Sequence, residues 1–421
     1  MPLETLAIHG GTPVRARPFS AWPEWGEPEE RALARVLASG SWGGFPSPNT
    51  EASAFAEAFA AYLDVPHAVP CANGTVSLTL ALQAARISPG AEVITTAYTF
   101  VGTASAIVAA GCIPVFVDVL PGSYCLDPAQ VEAAVGERCE AILPVHLACS
   151  LADMDRLADL ALRRGLLLVE DCAHAHGARW RGRAAGAIGD LGSFSMQSSK
   201  LLTAGEGGCV TARDAVVAQR LHSLVNCGRK ARADTFPERL LGHNARMTEW
   251  QAAVLGAQLA RLPEQHARRA ANVERFEKEI GALPGLRPLP RDPRVTERTV
   301  YQLILRYDGA AFAGAPRDDV LRALQAEGVP CSGRFYAPLP DDPLFSMDPH
   351  TNAAARAGFD CRAARFPVAA RAAYEEAIWL PHELFLGDAR DTGDLVAAFA
   401  KVQAGAAALR ERPPPGGALL R

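Results

Sequence analysis

Between residues 68 and 210, short apolar runs of strand length alternate with stretches long enough for a helix, and this alternation constrains the fold more than any other feature. The strand-like runs fall at 68–70, 92–95, 115–118, 141–145, 166–169 and 191–196, with helical stretches at 75–85, 100–110, from Pro128, and at 154–164. Strands separated by helices predict an α/β fold with a mostly parallel, doubly wound sheet. Ligands of such sheets bind beyond the carboxyl ends of the strands.

The chain has 421 residues, enough for this sheet and a second, smaller unit. Residues 1–45, rich in Pro, Gly and Trp, read as a surface arm, a short helix at 28–38, a turn at Trp42-Gly43-Gly44, and a helix beginning at Glu51. Residues 212–270 read as mainly helical. One helix, at 246–262, is expected to end before Pro263, and a basic helix at 265–280 to lead onward. The expected organisation is an arm at 1–30, a large domain at 31–270, a small α+β domain at 271–408 and a disordered tail at 409–421. No internal repeat is visible.

A net charge of −4 gives no reason to expect a nucleic-acid or membrane partner. No charged residue occurs from Val93 to Val117, a span long enough to cross a membrane. Gly102, Gly111 and Pro114 interrupt it, so it reads as buried strand, helix and strand. Ten cysteines form no CxxC pair and no apolar signal follows the first methionine, which predicts reduced thiols in a cytoplasmic protein.

The chemistry concentrates between Leu166 and Val210. The run at 166–169 ends on Glu170-Asp171, and Cys172, His174 and His176 then alternate. The run at 191–196 leads to Lys200, and Gly205-Glu206-Gly207-Gly208 turns into a further strand. Lys200 is the one charge from Leu191 through Gly205, so it should be partly desolvated, which lowers its pKa and frees its amine. A Schiff-base lysine needs that setting, and an Asp at a neighbouring strand end suits the ring nitrogen of pyridoxal 5′-phosphate. The alternative is a lysine whose stem packs on the core while its head reaches water. Cys172, His174 and His176 also suggest a zinc hydrolase, but alternate residues of an extended segment present one face, and no fourth ligand is evident. Asn73-Gly74-Thr75 precedes a helix, where Asn73 caps it and the N–H groups of Gly74 and Thr75 suit an anion; a plain helix cap is the other reading.

The segments EDCAHAHG, SFSMQSSK and TAGEGG, with NGTVSLTLAL, TFVGTA, VFVDV, PVHLAC and HNARMTEWQAA around them, keep one order along residues 5–260. Together they resemble the DegT/DnrJ/EryC1/StrS family of fold-type-I, pyridoxal-phosphate-dependent aminotransferases. The resemblance implies that Lys200 binds the cofactor and shuttles the substrate proton, that Asp171 holds the ring nitrogen, and that His174 meets the phenolic oxygen. It places the phosphate on Gly74, Thr75 and Ser195, with Asn244 reaching it from the other subunit of a homodimer. Phe100 matches the aromatic that stacks on the ring, with Tyr98 a near competitor. Lysine at position 200 argues against the family's dehydratase branch, which carries histidine there. A cofactor-binding regulator without turnover would be expected to lack Lys200 or Asp171.

NCGRK from Asn226, GRFYAPL from Gly333 and WLPHELFLG from Trp379 point within the family toward aminotransferases that move the amino group of L-glutamine onto scyllo-inosose or 2-deoxy-scyllo-inosose in aminocyclitol antibiotic biosynthesis. L-Glutamate remains an alternative donor. Nucleotide-sugar keto aminotransferases and 3-amino-5-hydroxybenzoate synthases are the alternative branches. The substrate residues implied are Tyr336 and His382 for ring hydroxyls and Arg229 for the donor's carboxylate.

Overall fold

The computed structural model describes residues 4–45, 49–229, 240–341 and 365–409. After α1 (Glu27–Ser39) and α2 (Thr50–Leu63) the expected alternation appears as β1 (His67–Cys71), α3 (Gly74–Ala84), β2 (Glu92–Thr96), α4 (Val101–Ala109), β3 (Ile113–Val117), α5 (Pro128–Ala134), β4 (Cys139–Leu143), α6 (Met154–Arg164) and β5 (Leu167–Asp171). A short hairpin, β6 (Arg179–Trp180) with β7 (Arg183–Ala184), precedes β8 (Leu191–Ser195) and β9 (Gly208–Ala212). Seven strands form one sheet in the order β1-β9-β8-β5-β4-β2-β3. Only β9 runs against its neighbours, β1 and β8, whereas β8, β5, β4, β2 and β3 pair in parallel.

The interior strands are buried on both faces, as all five residues of β8 and of β9 show, which is why they read as continuous apolar runs rather than as alternation. The uncharged stretch from Val93 to Val117 is β2, α4 and β3. Among the described residues no helix is long and apolar enough to cross a membrane.

After α7 (Ala215–Val225), one helix, α8, runs from Glu249 to Ile280 with Pro263 inside it. This corrects the expected break: proline removes one backbone hydrogen bond and kinks a helix, but Leu255, Leu259 and Leu262 before it and Val273, Phe276 and Ile280 after it are all buried, and Pro263 is exposed. The boundary expected near residue 270 therefore falls inside α8. A second antiparallel sheet, β10 (Leu286–Pro288), β12 (Gln302–Tyr307) and β13 (Ala377–Pro381), builds its own core with Phe276, Phe385 and Phe399. Between β10 and β12 in the chain, β11 (Val295–Glu297) leaves this sheet to pair with β6 of the hairpin that precedes β8, making with β6 and β7 a third, three-stranded sheet. The N-terminal arm docks on this second core: Leu6 is part of it, and the buried Glu327 carboxylate accepts from Ala7 N–H at 2.8 Å and Val14 N–H at 3.0 Å. The tail expected to be disordered, apart from Leu409, lies outside the described residues.

Candidate active site

A cavity of about 800 Å³ opens where β5 and β8 end and where α3 and α4 begin. At one end, Asn73 caps α3 by accepting from Val76 N–H at 2.9 Å. As the first residues of the helix, Gly74 and Thr75 have N–H groups without partners inside it. A side chain at Gly74 would place its Cβ 2.5 Å from the Ser195 Cβ, so glycine alone lets the helix end reach the β8 terminus. Gly74, Thr75 and Ser195 thus form one wall, a cradle suited to a phosphate.

At the other end, the Asp171 carboxylate, 5% exposed, accepts from the Thr103 hydroxyl at 2.9 Å and Ala173 N–H at 3.1 Å. Burial pushes its pKa up, while those two donors and the charge of Lys200 act in the opposite direction. Alternation along β5 sends Glu170 to the opposite face, where His146 and the N–H groups of Gly186, Ile188 and Gly189 saturate it. Glu170 therefore anchors a loop, and Asp171 alone of the pair faces the cavity.

Lys200 lies under the Tyr301 ring, its Nζ 4.4 Å from the centroid. Burial lowers its pKa to about 8, with Asp171 pulling the other way. His174 stacks on Tyr301 at 4.1 Å. Its Nδ1 accepts from Ala148 N–H at 3.2 Å, so in the neutral ring Nε2 carries the hydrogen and donates to the Tyr336 hydroxyl, 3.2 Å away. Burial, with Lys200 nearby, holds the His174 pKa well below the usual range, which keeps that ring neutral.

Of the two competing aromatics, Phe100 lines the cavity with 55% of its surface exposed, whereas Tyr98 is fully buried against Tyr124 and Trp379. Tyr336 also lines the cavity. Three expected residues do not line it. Asn244 is exposed on the segment that bridges to Asn226, Arg229 sits over the Phe45 ring at 4.7 Å, and the buried His382 meets the Ser199 carbonyl from behind. Cys172, His174 and His176 do not converge, because His176 packs in the core against Phe194. Among the described residues the group with metal-ligand spacing is His146, Glu170 and Cys172, whose carboxylate is already saturated. Thr103 and Tyr301 complete the site without having been singled out by the sequence.

A half-buried amine with lowered pKa, a buried carboxylate across the cavity and a helix N-terminus beside them define a cofactor-dependent group-transfer enzyme of the α/β class. The DegT/DnrJ/EryC1/StrS aminotransferase family model matches residues 24–392, and the chain belongs to that family. It is an aminotransferase of the pyridoxal-phosphate-dependent type. A Streptoalloteichus tenebrarius protein provisionally named L-glutamine:3-amino-2,3-dideoxy-scyllo-inosose aminotransferase is 47% identical, over 96% of this chain and 99% of that one. The L-glutamine:2-deoxy-scyllo-inosose aminotransferase of the same organism is 42% identical, over 96% of this chain and 98% of that one. The crystal structure of 3-amino-5-hydroxybenzoic acid synthase superposes with a TM-score of 0.81 at 33% identity, covering 94% of this chain and all of that one.

Proposed function

We propose that this chain holds pyridoxal 5′-phosphate in the cavity and moves the amino group of L-glutamine onto a keto-cyclitol. The observation that carries the reading is the convergence on one cavity of Lys200, Asp171 and the Gly74–Thr75 helix end, which match the aldehyde, the ring nitrogen and the phosphate of one small molecule. That cofactor, once bound, supplies an electron sink for the charge that develops as the donor's Cα–H bond breaks.

The chain's own groups divide the remaining work. Gly74 and Thr75 bind the phosphate through N–H groups, with the Ser195 hydroxyl beside them. Asp171, oriented by Thr103 and Ala173, holds a proton at the ring nitrogen through a charge-assisted hydrogen bond. His174, neutral and with its hydrogen on Nε2, offers a donor at the ring's edge, and Phe100 covers the ring face. Lys200 would hold the cofactor covalently and, once the amino acid has displaced it, its freed amine would serve as the general base that takes the donor's Cα proton. A second copy of the chain would bring Asn244 to the phosphate.

For the acceptor, the two Streptoalloteichus tenebrarius relatives bracket the choice. Identity is higher to the one named for the amino-bearing ring, so we assign 3-amino-2,3-dideoxy-scyllo-inosose ahead of 2-deoxy-scyllo-inosose and scyllo-inosose. The test is the visible spectrum of the purified protein. The yellow band of the lysine-bound cofactor should bleach with L-glutamine and return with each ketone, fastest with the amino-bearing one. Bleaching without return by any of the three rings would retire the keto-cyclitol assignment. A protein that takes up no pyridoxal phosphate would retire the whole proposal.

A further inference from the structure

The segment carrying Lys200 is held from behind by two side chains far away in sequence. Trp22 in the N-terminal arm donates its Nε1–H to the Ser198 carbonyl at 3.0 Å. His382, just after β13, reaches the Ser199 carbonyl with Nε2 at 3.2 Å. The two rings meet edge-on, 4.6 Å apart at 88°. Ser199 is fixed on its other sides as well: its hydroxyl lies 2.8 Å from the Tyr301 hydroxyl, and Gln197 Oε1 accepts from its N–H at 2.9 Å. The two peptide carbonyls preceding Lys200 are thus each gripped by a ring from a different part of the chain.

Arg269, on α8, shows how the grip is kept. Its guanidinium is 1% exposed, lies 4.9 Å from the centre of the Trp22 ring, and has no hydrogen-bond acceptor among the described residues. A buried cation over an indole face is a cation–π contact, which sets the ring's orientation. A carbonyl accepts only, so His382 must carry its hydrogen on Nε2. The cation beside it disfavours a second proton on the ring and leaves Nδ1 a lone pair. Burial and the Arg269 charge both hold His382 well below the usual histidine range, so the ring stays neutral at neutral pH, and the Ser199 carbonyl fixes its one hydrogen on Nε2.

We infer that Trp22 and His382 are positioning residues for Lys200, and that docking of the arm and of the small sheet sets where the Lys200 amine points. This rests on the reading of Lys200 as the cofactor-binding lysine. Proton transfer by an amine tolerates little misplacement, so loosening the two carbonyls should slow the chemical step more than binding.

The experiment uses the full-length, cofactor-loaded protein and the variants Trp22→Phe, His382→Phe and His382→Gln. Phenylalanine keeps an aromatic ring and removes the donor; glutamine restores a donor. Three quantities are read: the rate of band bleaching at saturating L-glutamine, the glutamine concentration for half that rate, and the pH midpoint of the visible band. Both phenylalanine variants are expected to bleach about tenfold or more slowly, with the half-saturating concentration changed less than about twofold. Their pH midpoint should shift, and His382→Gln should recover most of the rate. An unchanged rate and midpoint in both phenylalanine variants would overturn the inference. So would a rate loss that follows thermal stability and is not recovered by His382→Gln. If the unaltered protein forms no lysine-bound band, the underlying reading of Lys200 fails first, and this inference falls with it.

Discussion

Lys200 can attack or carry a proton only as a neutral amine, and burial brings its pKa from 10.5 to about 8. In the cofactor-free protein, covalent capture of pyridoxal 5′-phosphate at Lys200, trapped by borohydride, should therefore rise through pH of about 8; a rise centred near 10.5 would contradict the burial argument. The stability sign follows. Between about pH 8 and 10.5 the unfolded chain binds the proton that the folded one has lost, so this lysine's contribution to stability improves as pH rises across that window and is least favourable below it. Lys200→Ala should still retain the cofactor non-covalently through the phosphate cradle and Asp171. It should lose transamination by about 10²–10⁴-fold or more, the scale of a removed general base, and turnover near the unaltered level would refute the role. His174 needs no proton uptake for its part: with Nδ1 held by Ala148, its hydrogen sits on Nε2 at neutral pH.

The element that matters most is the first turn of α3. Asn73, Gly74 and Thr75 read as a helix start from sequence, but a cap and an anion cradle look alike at that level. The distinction comes from Ser195 at the end of β8, against which Gly74 packs with no room for a Cβ. Gly74→Ala should fold, push α3 from β8, and weaken cofactor binding by about 10–100-fold, the 1–3 kcal/mol typical of overpacking; fluorescence titration with the cofactor measures it. Unchanged affinity would mean that the approach of α3 to β8 does not shape the cradle. At the same scale α8 shows where local signals mislead. Pro263 marks a helix end by its chemistry, yet buried residues on both sides carry the helix through it.

At the scale of the whole molecule, the N-terminal arm is bound to the smaller sheet's core rather than lying loose. The fully buried Glu327 side chain receives Ala7, Val14 and Lys401, the last at 2.9 Å. Glu327→Ala would leave those donors unpaired and should cost about 3 kcal/mol, as expected for one half of a buried ion pair. Calorimetry should show a fall in Tm of several degrees, and limited proteolysis should find the arm cut earlier; an unaltered Tm would show that the arm docks by other means. Much of this enzyme was legible along the chain. Strand and helix periods, the Glu170-Asp171 strand end, the isolated Lys200 and the Asn73 cap are set by neighbours within a few residues, where backbone geometry and desolvation act directly. The tertiary structure alone decided that Phe100 faces the cavity while Tyr98 does not, that Glu170 serves a loop, that His382 stands behind Ser199, and that Trp22 reaches Ser198. Those outcomes depend on contacts between segments up to some hundreds of residues apart, and no local propensity encodes which distant surfaces will pack together.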